Sequence, residues 1–256
     1  MTTAATNYPL LRERNIILAA LLALSAAAWV TLLWQWSMFG DAMGLTMGMA
    51  APLFLAIWVV MMVAMMFPTA APMILMFARV QAGKRARGQR FVPVWVFVAA
   101  YLVVWTAFGA IAYPAALGAQ ALAERSMWLM DNAARIGGGV LVIAGVYQLT
   151  PLKRACLSKC RTPMTFVMTS WRDGAAGAFR MGIEHGAYCL GCCWLLFVIL
   201  FPLGVMNVAA MALITVLIFA EKSLPLGRQA ATLAAAGLVA YGAFAIAVPA
   251  ALPTMM

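Results

Sequence analysis

The chain has 256 residues, of which 66% are hydrophobic and 9% charged, with a mean hydropathy of +0.97. A soluble domain of this length needs far more charge to cover its surface, so a water-exposed globular fold is excluded. A bilayer core about 30 Å thick takes roughly 20 apolar residues per helix. Backbone groups in lipid must be satisfied within the span, and the sequence lacks the alternating pattern of a barrel strand. The expected fold is all-α: a polytopic integral membrane helix bundle forming one transmembrane domain over residues 1–256.

In chain order, seven spans are expected, with six as the alternative. The first covers 16–36. Ser25 to Ala28 is similar to a cleavage site, but the apolar run continues through Trp29, Val30 and Leu33. Trp34 and Trp36 therefore read as an interfacial anchor. The second span covers 53–78, with Pro68 and Pro72 expected to kink it and free carbonyls. The third covers 91–117 and the fourth, short and glycine-rich, 136–150. A basic segment over 151–180 follows, with room for a short helix lying on the inner surface. The fifth span covers 181–201, the sixth 206–220 and the last 230–248. Only Pro202-Leu203-Gly204 separates the fifth from the sixth, as in a hairpin within the membrane.

Of the 17 Lys and Arg residues, all but Arg125 and Arg135 fall on one side of this arrangement. That side is expected to be cytoplasmic, which places the N-terminus inside. The expected location is the bacterial inner membrane. The net charge of +10 matches anionic inner-leaflet lipid and calls for no nucleic acid.

The most informative segment runs from Gly182 to Trp194. It holds the only histidine and three of the five cysteines. His185, Cys189 and Cys192 stand at i, i+4 and i+7, on one stripe of a helix, with Cys193 beside it. Imidazole and thiolates on one face suit Cu(I) or Zn(II). A free cysteine is also an ordinary small hydrophobe, but that does not account for an imidazole inside a membrane. Gly182, Gly186 and Gly191 allow another helix to come close. Glu184 points about 100° away from His185, either supporting the site or pairing with Arg180. Cys156 and Cys160 follow the fourth span, near the same face as His185 and Cys189. Their basic neighbours Lys153, Arg154, Lys159 and Arg161 favour thiolates, and a reducing cytoplasm disfavours a disulfide.

The chain has 20 methionines. Met61, Met62, Met65 and Met66 form two overlapping i, i+4 pairs in the second span. Thioethers select Cu(I) over harder cations, although Met also fills gaps in ordinary cores. Met38, Met43, Met47 and Met49 surround Asp41 in the preceding loop.

Three segments carry a family resemblance. They are Trp58 to Met66 with Pro68 and Pro72; Tyr147 to Lys153 running into Cys156, Cys160, Arg161 and Pro163; and His185-Gly186 leading to Cys189, Gly191, Cys192, Cys193 and Trp194. Together they resemble a bacterial family of unknown function described as predicted metal-binding integral membrane proteins. The resemblance covers about residues 50 to 220 and implies metal binding.

The leading expectation is a soft-metal membrane protein, with copper(I) as the ion and zinc as the alternative. It would act in transport, delivery or storage. Its metal residues would be His185, Cys189, Cys192, Cys193, Cys156 and Cys160, with Met61, Met62, Met65 and Met66. A second reading is a thiol–disulfide electron conduit, with Cys189 and Cys192 exchanging with Cys156 and Cys160. A third uses His185 as a haem ligand. No catalytic constellation or nucleotide loop is visible. Expected partners are the lipid bilayer, a metal-receiving apoprotein or metallochaperone, and a membrane-protein complex or second copy.

Overall fold

The computed structural model describes residues 3–39, 45, 46 and 48–252. Among these residues the regular structure is entirely helical. The long helices are α1 (Thr3–Phe39), α2 (Ala51–Ala86) and α3 (Val94–Arg125). A short α4 (Met127–Asp131) leads to α5 (Ala133–Gln148), α6 (Pro151–Arg161) and α7 (Pro163–Ser170). Then come α8 (Gly174–Val198), its continuation α9 (Leu200–Leu203), α10 (Val208–Ser223) and α11 (Gly227–Ala247), closed by a 3-10 turn, Pro249–Ala251.

Among the described residues five helices are long and apolar enough to cross a membrane: Leu11–Met38, Ala51–Ala86, Val94–Arg125, Gly174–Leu203 and Gly227–Ala247. Helices α5 and α6 meet the same test only as a pair bent by 63°, which makes six. Six was the alternative to the seven spans expected, and the seventh is not confirmed. The segment expected over 136–150 is one arm of the bent pair. The one expected over 206–220 is α10, whose 16 residues rise about 24 Å, short of a roughly 30 Å core.

Local chemistry explains the breaks. Thr150 caps α6 by accepting the Lys153 N–H at 3.3 Å, with Pro151 at the first helical position, a sequence that starts a helix rather than continues one. Gly204 turns the chain between α9 and α10 at φ 97°, a conformation that suits glycine. Asn207 then caps α10 through the Ala210 N–H at 3.0 Å.

Helix α2 runs unbroken through Pro68 and Pro72. Pro68 removes the N–H that would have met the Ala64 carbonyl. That carbonyl instead accepts Ser25 Oγ at 2.7 Å and Trp29 Nε1 at 3.2 Å, both from α1. The proline thus becomes a docking point for α1, as lipid demands of a freed backbone group.

Within lipid, close approach rather than hydrophobic drive holds helices together. The α3–α8 seam depends on two of the glycines singled out above. A Cβ at Gly182 would stand 2.5 Å from the Phe97 carbonyl oxygen, and one at Gly186 would stand 2.8 Å from Val104. Gly138 and Gly242 bring α5 and α11 together in the same way. At one edge of the bundle, Lys84 pairs with Asp173 and lies over the Trp171 ring. Lys84 and the Trp171 indole hold the exposed Asp173 carboxyl below the usual carboxylate range. Such an exposed pair adds little stability.

Candidate metal centre

Four helices converge on Cys189. Its own helix, α8, carries Cys192 one turn on, where Cys192 Sγ donates to the Cys189 carbonyl at 3.1 Å and lies 3.2 Å from Cys193 Sγ. From α3, the Tyr101 hydroxyl reaches Cys189 Sγ at 3.0 Å. From α10, the Lys222 ammonium donates to the same sulfur, also at 3.0 Å. From α6, the Cys160 thiol meets Cys189 and Cys192. All five cysteines are free, and Cys160, Cys189, Cys192 and Cys193 are buried.

The sequence suggested that the two cysteine groups could meet; helix α6 packs against α8 and buries Cys160. Cys160 shares a helical stripe with Lys153 and Leu157, all three buried, at the i, i+4, i+7 spacing that α8 also uses. Helix α6 is therefore amphipathic, with this face packed on the bundle and Leu152, Arg154, Ser158 and Lys159 exposed. Cys156 stands apart. It is half-buried, with its sulfur against Gly191, where a Cβ would come within 2.8 Å. Gly191 lies about 100° round α8 from Cys192.

The basic residues expected to surround these thiols are turned elsewhere. Lys153 pairs with Glu221 at 2.7 Å and bonds Gln148 Oε1. Arg161 donates to the carbonyls of Glu221 and Leu224, both at 3.0 Å, and so closes the C-terminal end of α10. Lys222, which the sequence grouped with the cytoplasmic charges, is the cation at the thiols.

His185 is buried among three rings. Phe97 and Tyr101 of α3 stack on it at 5.8 and 5.5 Å, and Phe166 of α7 lies at 5.7 Å. Neither ring nitrogen has a hydrogen-bond partner. A buried imidazole without a partner is costly; one free nitrogen is open to a metal, while the other lacks the hydrogen-bond acceptor that metal-bound histidines ordinarily have. Glu184 is accounted for by Arg180 at 3.3 Å.

Met61, Met62, Met65 and Met66 are all buried, on a helix that packs against α1, α3, α7 and α10. Two ring contacts fix their depth. Trp58 of α2 meets Phe197 of α8 at 6.3 Å. Phe77 of α2 stacks on Phe97 at 4.9 Å, and Phe97 in turn reaches His185. The methionines lie between these two levels, as Cys189, Cys192 and Cys193 do on α8. Of the loop methionines, Met38 is exposed and Met49 half-buried. Met43, Met47 and Asp41 lie outside the described residues.

Among the described residues no set of three or more His, Cys, Asp or Glu side chains is arranged to hold a metal ion. What converges instead is a group of thiols contacted by one ammonium and one phenol. Soft sulfur donors in a buried setting suit Cu(I), which accepts few ligands.

Sequence reasoning did not single out Tyr101 or Glu221, and it gave Lys153, Gln148 and Lys222 other parts than the ones they have here. Glu221-Lys222 at the end of an apolar run was the available signal, since ionisable groups inside a membrane rarely lack a task.

Neither the curated proteins nor the solved structures give a match to this chain. A family model does: residues 55–245 match PpoB2, described as a copper chaperone. That is consistent with the metal-related family that the three segments resemble, and the matched region contains every cysteine, the histidine and Lys222. Because the match spans most of the sequence, the chain belongs to the PpoB2 copper chaperone family.

Proposed function

We propose that this protein receives copper(I) within the bacterial inner membrane and delivers it to a metal-receiving apoprotein. The ion is held by Cys160, Cys189 and Cys192, with Cys193 and His185 beside them, near the Lys- and Arg-rich side read as cytoplasmic. The observation that supports this reading is the burial of Cys160 on α6, which packs against α8, where Cys189, Cys192 and Cys193 are buried as well. Thiols buried on two packed helices are the donors a soft metal prefers.

Replacing Cys160 by Ser should lower copper affinity roughly tenfold or more, a scale that even outer-shell partners of a metal reach. Replacing Cys156 by Ser should change it little. The measurement is Cu(I) competition against a colorimetric chelator on the purified full chain. Equal effects of the two substitutions would remove α6 from the site.

The buried methionines offer soft ligands leading to that position. Met62→Leu with Met66→Leu nearly conserves volume and hydrophobicity, and such swaps usually cost less than about 1.5 kcal/mol. The double variant should fold, keep its affinity for Cu(I) in detergent and load copper more slowly in cells. Normal loading would return the stripe to core packing.

A thiol–disulfide conduit built on the same cysteines has no task for the unpartnered His185 nitrogens. In that case Cys156→Ser would block electron transfer and the methionine variant would be silent.

A further inference from the structure

Helices α1 and α2 are joined at two levels. In the body of the bundle Ser25 and Trp29 hold the Ala64 carbonyl. At the basic end Arg85 pairs with Glu13. On α2, the stretch between these joins lines an open-sided cavity of about 470 Å³ against α1, a volume within the range of small-molecule sites. The α2 wall is a single stripe: Pro72, Leu75, Met76 and Arg79 stand at i, i+3, i+4 and i+7. Three apolar positions thus lead to a guanidinium. Helix α1 adds Leu11 and Arg14 from the other side.

The charges at this cavity are unevenly matched. Glu13, its acid, belongs to Arg85. Arg14 bonds the Asn15 side-chain oxygen at 3.1 and 3.2 Å, a neutral partner. Arg79 is exposed. Neither Arg14 nor Arg79 takes part in an ion pair among the described residues. Two guanidiniums therefore stand at the mouth of an apolar groove with no anion of the protein to meet them.

We propose that this cavity binds one anionic phospholipid, with its phosphodiester at Arg14 and Arg79 and an acyl chain along Pro72, Leu75 and Met76. A free phosphate would meet the arginines and leave the apolar stripe empty. An uncharged apolar molecule would do the reverse. A zwitterionic lipid carries its own ammonium, which cancels the attraction. A lipid of net negative charge satisfies both parts of the site. The guanidinium fork matches phosphate oxygens with paired hydrogen bonds. The long arginine stems let the charged heads reach the headgroup level while the stripe stays among acyl chains. The basic end is the one read as cytoplasmic, where anionic headgroups settle in basic pockets between helices. None of these residues belongs to the copper site.

The test titrates the full chain in detergent with dioleoyl phosphatidylglycerol and, separately, with dioleoyl phosphatidylcholine, and counts retained lipid by native mass spectrometry. The native chain should retain one phosphatidylglycerol and bind it about tenfold or more tighter than phosphatidylcholine. Arg14→Met and Arg79→Met should each weaken phosphatidylglycerol about fivefold, the worth of one basic residue facing anionic lipid. Both should leave phosphatidylcholine binding unchanged, which shows that the groove still forms. Arg90→Met removes an exposed charge outside the cavity and should change neither lipid. Met76→Trp fills the stripe and should lower retention of both. Equal retention of the two headgroups by the native chain overturns the proposal. An Arg90→Met loss equal to that of Arg79→Met also overturns it, because attraction to the whole basic face would then explain the binding. Displacement of phosphatidylglycerol by inorganic phosphate, or unchanged retention in Met76→Trp, would mark a phosphate site without a lipid groove and is equally fatal.

Discussion

The Cys189→Ser, Cys192→Ser double variant is expected to lose nearly all of its bound copper while still inserting into the membrane. The hydroxyl is close to the thiol in shape but is a hard donor with little affinity for Cu(I). The two positions differ in what else they lose. At Cys192 a serine hydroxyl can make the same bond to the Cys189 carbonyl that the thiol makes at 3.1 Å, so Cys192→Ser alone should leave stability almost untouched. At Cys189 the substitution also takes the counter-charge from Lys222. Stability should then fall by about 1–3 kcal/mol, the range for a buried polar group that loses its partner. His185→Ala should weaken copper binding less than either, because the sulfurs remain. Copper per chain by elemental analysis, measured beside a thermal melt, separates these effects. Unchanged copper in the double variant would remove α8 from the metal site.

What the sequence disclosed depended on the range of the interaction. Hydropathy is local, so the five long apolar helices stand where apolar runs stand, although their ends run as far as 86, 125 and 174 beyond spans expected over 53–78, 91–117 and 181–201. The stripe His185, Cys189, Cys192 follows from helical spacing alone and all three are buried. Length misled at α5 and α10. Both are too short to cross on their own, and the chain meets the span test at α5 only by bending into α6. The basic segment over 151–180 disclosed only part of what it does. Its composition reads as interfacial, but one face of α6 carries Lys153, Leu157 and Cys160 into the bundle. That face becomes visible only when Glu221 is known to stand opposite Lys153, 68 residues away. The contact of Lys222 with Cys189 was hidden in the same way. A lysine at the end of an apolar run is ordinarily an anchor in the headgroup region, and only the packing of α10 near α6 turns it inward. Pro68 was read as a kink that frees a carbonyl, and Ser25 and Trp29 take up the Ala64 carbonyl as a bond between helices.

Lys153→Met should destabilise the protein by about 3–5 kcal/mol, the cost of breaking a buried ion pair by removing one partner. Lys153 and Glu221 are 1% and 0% exposed, so water cannot replace the missing ammonium. Glu221 Oε1 and Gln148 Nε2 already lack partners, so the network has no spare donor in place to take over. Adding Glu221→Leu should recover most of the loss. A buried pair replaced by apolar groups of similar volume is often neutral or better, and Lys222 with Cys189 remains balanced. Thermal unfolding in detergent, arranged as a double-mutant cycle, measures the coupling. A Lys153→Met melt equal to that of the native chain would show that the pair does not join α6 to α10. The copper site provides an independent readout. The pair and Arg161 hold α6 against α10, which sets Cys160 beside Cys189. Lys153→Met should therefore lower copper affinity as Cys160→Ser does, without altering any ligand. The Lys153→Met, Glu221→Leu chain should regain stability and copper binding together, because the same contact supports both.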